Sequence, residues 1–230
     1  MPADILSISH IVNWIINLLA LVVGVLYCYR TINPPYLRIF PAYLFISIMV
    51  EFLVNSLFLR LFHLRPFGSY QPYVKFIMYN LYTPFELFMF AWFLFLIIRS
   101  SLVKRLLSAS LMLFCLFFII SSVKNDIAKN INTIAIVLES IIIIPTCLIW
   151  YWELFSRNEP VNLFREPSFW LVTGIFFYLA TIIPLMVTTN YLSTHGMRTA
   201  ARSLFSINNF SLVITYILFI KGFTCRISRS

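Results

Sequence analysis

Three glutamates carry most of the chemistry this sequence offers. Glu51, Glu86 and Glu139 each sit inside a long apolar run. A carboxyl group in hydrocarbon must hold a proton, meet a cation or face a pocket of water, because an isolated charge there is costly. No Lys or Arg lies at comparable depth in these runs to pair with them. Helical spacing gives the acids polar neighbours. Ser47, Glu51 and Asn55 follow one another at intervals of four, as do Tyr82 and Glu86, while Asn208, Ser211 and Thr215 form another one-sided stripe. The candidate ligand-binding set is therefore Glu51, Asn55, Asn80, Tyr82, Glu86, Glu139, Asn208 and Asn209. The competing reading is structural: Asn, Ser and Thr are ordinary glue between membrane helices, worth about 0.6 kcal/mol each.

Depth is what makes the set informative. At 1.5 Å of rise per residue, Glu51 and Glu139 lie about 12 Å, and Glu86 about 15 Å, from the membrane face nearest the N-terminus. Asn13, Asn17, Asn55, Asn80, Asn208 and Asn209 lie within roughly 10 Å of that face. The other half of the bilayer is almost pure hydrocarbon, as in Leu87–Ile98 and Leu18–Val25. Proline at 84, 145 and 184 removes a backbone hydrogen bond in each of three runs, and such kinks can open a vestibule.

The elements that must hold these groups are membrane helices. Of 230 residues, 61% are apolar and only 11% charged, whereas a soluble domain carries about a quarter charged residues. That excludes a water-soluble enzyme, a nucleic-acid-binding domain and a disordered chain. A bilayer core about 30 Å thick takes roughly 20 apolar residues as helix. Seven such runs occur, at residues 11–29, 39–59, 76–98, 106–123, 131–152, 169–188 and 204–220. The expected fold is thus all-α, a polytopic seven-transmembrane-helix bundle forming a single domain over 1–230. The runs are continuously apolar and do not alternate, which argues against a β-barrel. No basic residue precedes the first run and no small-residue cleavage site follows it, so it is expected to stay in the protein rather than act as a signal peptide.

The balance of 17 basic against 8 acidic residues points to a membrane surface, not to nucleic acid. Arg30, Arg38, Arg99, Lys104, Arg105, Arg157, Arg165, Lys221, Arg226 and Arg229 fall on one side. Arg60, Arg65, Lys75, Lys124, Lys129, Arg198 and Arg202 fall on the other. The richer side is expected in the cytoplasm, with the N-terminus outside, the C-terminus inside and lipid headgroups as contacts. Cys28, Cys115, Cys147 and Cys225 show no paired spacing and read as small apolar residues; Cys28 and Cys225 lie near the cytoplasmic face, where acylation is chemically open. His10, His63 and His195 fall at span ends on the outer side without ligand spacing, so no metal is expected. HExxH, GxSxG and a phosphate-binding loop are absent from the sequence. No catalytic residue, cofactor or enzymatic activity follows from it.

Asn80-Leu81-Tyr82-Thr83-Pro84-Phe85-Glu86 in the third run and Phe169-Trp170-Leu171-Val172-Thr173-Gly174 at the start of the sixth prompt a comparison. In layout the chain resembles short seven-helix membrane proteins of bacteria, and it is similar to the seven-helix sensory regions that precede some bacterial histidine kinases. The resemblance implies a bacterial inner-membrane sensor. The sequence stops at residue 230, so any output domain is expected on a separate partner polypeptide. The expected function is a sensory or interaction module with a glutamate-lined cavity in the N-terminal-side leaflet. The alternative is a small solute or proton-coupled transporter built as three helices, a linker helix and three helices.

Overall fold

The computed structural model describes residues 3–30, 35–54, 71–124, 132–156 and 162–225. Within them it is all-helical. The seven α-helices are α1 (Ala3–Arg30), α2 (Ile39–Val54), α3 (Gln71–Ile97), α4 (Ser101–Lys124), α5 (Thr133–Phe155), α6 (Pro167–Thr194) and α7 (Arg198–Thr224). Short 3-10 turns at Pro35–Arg38 and Leu163–Arg165 lead into α2 and α6. Six of the helices are long and apolar enough to cross a membrane. The exception is α1, a 28-residue helix whose apolar stretch, Ile11–Tyr27, is shorter than those of the other six.

Most helices outrun the apolar runs that announced them. The run at 204–220 sits inside a 27-residue helix, and the run at 169–188 inside one of 28. Polar end residues lengthen a helix beyond the hydrocarbon because the backbone keeps its internal hydrogen bonds in water and lipid alike. Local chemistry sets the ends. Asn132 caps α5 by accepting the Ala135 N–H at 3.2 Å. Pro167 opens α6, where its missing N–H costs nothing. Gly196, at φ 76°, turns the chain after α6 in the left-handed conformation that glycine adopts without strain, and Met197 N–H returns to Leu192 O at 2.9 Å.

Six helices close a ring in the order α1, α2, α3, α5, α6, α7 and back to α1, while α4 packs from outside on α3 and α5. Pairs of contacts fix the directions. Asn13 meets Glu51 and Asn17 meets Ser47, so α1 and α2 are antiparallel. Ser9 meets Asn209 and Gly24 approaches Phe223, so α1 and α7 are parallel. Asn80 reaches Asn132 at one end of the bundle, and Arg99 and Ser100 reach Glu153 at the other, so α3 and α5 are parallel. Among the described side chains of α4 only Leu107, Phe114 and Ser121 are buried, one narrow seam at every seventh residue. Val103, Leu111, Phe117 and Phe118 flank that seam half-buried, while Leu102, Met112, Leu113, Ile119 and Val123 face outward.

Along the bundle axis the core has two layers. Toward the ends of α1, α3, α5 and α7, Phe40 lies edge-on to Phe93 at 4.8 Å and to Phe219 at 5.0 Å, with Phe223 at 6.3 Å. Trp150, Leu94, Ile98 and Leu171 fill the same level and are fully buried. Toward the starts of those helices the interior is polar.

Candidate functional site

Glu86 lies at the centre of the ring. It is 4% exposed, and phenols from three helices converge on its carboxylate. Tyr43 of α2 donates to Oε1 at 2.6 Å, Tyr178 of α6 donates to Oε2 at 3.3 Å, and Tyr82 of α3 reaches Oε1 at 3.5 Å. The first of these has the ordinary length of a hydroxyl donating to a carboxyl oxygen. The rings that present these hydroxyls are themselves packed: Tyr43 against Phe90 at 4.9 Å, and Tyr178 against Phe90 at 6.5 Å. A fourth phenol, the fully buried Tyr216 of α7, lies within electrostatic reach of both Glu86 and Glu51.

Glu139 of α5 completes the cluster. It is 2% exposed, stands close enough to Glu86 for the two charges to interact, and has one oxygen, Oε1, without a hydrogen-bond partner. Two carboxyl groups that interact in a medium of low dielectric cannot both be charged unless a cation joins them. Glu51, near the end of α2, is half-buried; its Oε1 accepts from Asn13 Nδ2 at 3.3 Å. Between these levels Ser47 neighbours the hydroxyls of Tyr82 and Tyr216, and Asn17 Nδ2 approaches its Oγ at 3.5 Å. The carboxamide oxygens of Asn13 and Asn17 are buried and unpartnered, like Glu139 Oε1. The two amide oxygens accept and the carboxyl accepts when charged and can donate when neutral, so each can take a polar partner.

The other candidates divide. Tyr82 and Glu86 share the ring interior with Glu139, and Glu51 joins them through Tyr216. Asn80 is buried but its oxygen accepts the backbone N–H of Asn132 at 2.8 Å, while Asn132 Nδ2 donates to Ser121 at 2.9 Å. Asn80 thereby ties the start of α5 to α3. Asn209 donates to Ser9 at 3.0 Å and joins α7 to α1. Asn208, on the next residue of that helix, is partly exposed. Asn55 lies outside the described residues, as does His63. Ser140, Thr146, Thr173 and Thr215 return their hydroxyls to carbonyls four residues back on their own helices.

Two prolines do not shape the interior. Pro145 and Pro184 face outward, so the carbonyls they free at Ile141 and Ala180, both exposed, lie on the outer surface. Pro84, partly buried, lies two residues before Glu86, and α3 runs through it without interruption. The polar centre is filled by tyrosine rings, whose participation composition alone did not reveal: aromatic residues in such a chain read first as packing and interfacial belt. One signal was available for Tyr43, which extends the Ser47–Glu51 stripe by one further step of four. Nothing in the sequence marked Tyr178 or Tyr216.

His195 is exposed and rests on Tyr191, with ring centroids 4.2 Å apart and Nδ1 2.9 Å from the Tyr191 carbonyl. Cys147 is buried, Cys115 exposed and Cys225 partly exposed, all as free thiols. No family model, curated protein or solved structure matches the chain.

Proposed function

We propose that this chain is an integral membrane module that crosses the bilayer seven times and detects a small cationic or protic ligand at the Glu86 cluster. The observation that carries the reading is one arrangement: a buried carboxylate gripped by phenols from three helices, beside a second carboxyl with an unpartnered oxygen. A proton or cation arriving there changes the charge on Glu86 and Glu139 together. That alters hydrogen bonds on α2, α3 and α6 at once, which is how a small event becomes a rearrangement of helices. The aromatic layer below closes the path toward the far side, and a separate partner polypeptide receives the signal.

A seventh crossing by α1 is supported by its parallel course beside α7 and by its length, about 42 Å at 1.5 Å per residue. The excess of basic residues on the side of the α1–α2 and α3–α4 connections supports an external N-terminus and a cytoplasmic C-terminus in a bacterial inner membrane. Tryptophan fluorescence of the protein in lipid nanodiscs, followed against pH and against sodium, tests the reading. The wild type should respond to one of the two, and Glu86→Gln should abolish that response while leaving helical circular dichroism unchanged. If Glu51→Gln and Glu86→Gln both respond like wild type, the cluster is scaffolding.

A transporter is the second reading, favoured by the ring itself. Exchanging α1, α2 and α3 for α5, α6 and α7 leaves the order of neighbours around the ring unchanged, and α4 stands outside as a linker would. Uptake of solute or protons by reconstituted vesicles, lost on Glu86→Gln, would favour this reading over sensing.

A further inference from the structure

We propose that the cleft between α3 and α4 binds an anionic phospholipid, one acyl chain lying in the cleft and the phosphate held by the basic turn that joins the two helices. The cleft holds about 300 Å³ and is lined by Phe88, Ala91, Trp92, Phe95, Leu107 and Leu111. The four α3 residues fall on one helical face, as do the two from α4. A wall this apolar selects hydrocarbon and nothing else.

Charge at one end selects the headgroup. Lys104 stands one turn before Leu107 and places its ammonium 5.0 Å from the centroid of the Phe95 ring, at the mouth of the cleft. Arg99 is exposed in the connection and Arg105 in the opening turns of α4. Glu153, the acid that meets this turn, accepts the backbone N–H groups of Arg99 at 2.9 Å and Ser100 at 3.1 Å. Three cations against one carboxylate, set where α3 ends and α4 begins, attract an anionic headgroup. A lipid chain descending from that headgroup meets the cleft directly. A helix of a second copy fits less well, because it would have to cover the same basic turn and strip water from its charges.

The site is independent of the Glu86 cluster, and its test does not involve that cluster. Native mass spectrometry of the full chain, released from nanodiscs containing phosphatidylglycerol or phosphatidylcholine at equal mole fraction, counts the lipids retained. Phosphatidylglycerol should be retained preferentially. Lys104→Gln should weaken that preference about five-fold, the worth of one lysine beside an anionic surface. Leu111→Trp, which fills the cleft from a half-buried position of its lining, should remove the bound lipid while melting temperature and helical content stay close to wild type. Equal retention of both lipids, or retention unmoved by either substitution, overturns the proposal. So does a Leu111→Trp variant that loses a dimer and keeps its lipid, since the cleft then belongs to a second copy.

Discussion

The two halves of this bundle are held together by different forces. Near the starts of α1, α3, α5 and α7 the helices are joined by side-chain hydrogen bonds: Asn13 to Glu51, Asn80 to Asn132, Asn209 to Ser9, and the phenols to Glu86. Near their ends the helices approach through missing side chains. A Cβ on Gly174 would lie 2.6 Å from the Phe219 ring, one on Gly222 would lie 3.0 Å from Leu171, and one on Gly24 would lie 3.0 Å from Phe223. In lipid no hydrophobic effect drives helices together, so an apolar half must rely on close packing and dispersion. Glycine opposite a large ring gives that contact. The two layers are thus joined by different means, directional bonds in one and close apolar packing in the other.

Removing the ring at the centre of the packed layer is the strongest way to break this contrast. Phe40→Ala opens a cavity against Phe93 and Phe219 and should cost about 3 kcal/mol, measured by reversible unfolding in mixed micelles. A cost near that of a surface substitution would show that the aromatic layer does not hold the bundle. A smaller effect is expected one layer up. Tyr43→Phe leaves the packing intact but deletes the 2.6 Å donor to Glu86, for about 1.5 kcal/mol. It should also displace the ligand or proton response, which Phe40→Ala affects only through unfolding. The weakest perturbation sharpens the contrast most. Asn17→Ala removes a single long contact to Ser47 and should cost about 0.6 kcal/mol, within reach of a chemical-denaturation series. A loss several times larger would mean that the unpartnered Asn17 oxygen binds something that the bundle needs.

Much of the architecture was legible because lipid imposes a simple grammar. Length and apolarity located every helix among the described residues, and four-residue spacing placed Ser47 with Glu51 and Tyr82 with Glu86 on common faces. The one-sided depth of the polar residues also carried over into two layers of core. The partners did not. Asn80 and Glu86 are six residues apart on one helix, and both read as buried polar groups in an apolar run. One ties down the start of a neighbouring helix and the other gathers three phenols. Which role a residue takes depends on what the adjoining helix presents at its level.

By itself, then, the sequence determined which segments are helices and which of their faces are polar. These properties follow from composition and from the 3.6-residue turn, and they need no knowledge of neighbours. Tertiary structure alone decided that α4 stands outside a ring of six, that Pro145 and Pro184 face outward, and that Tyr43 and Tyr178 meet at Glu86 within electrostatic reach of Glu139. Spacing along one helix is a local property. The pairing of helices depends on side-chain volumes summed over whole faces, where one glycine opposite one phenylalanine sets which surfaces touch.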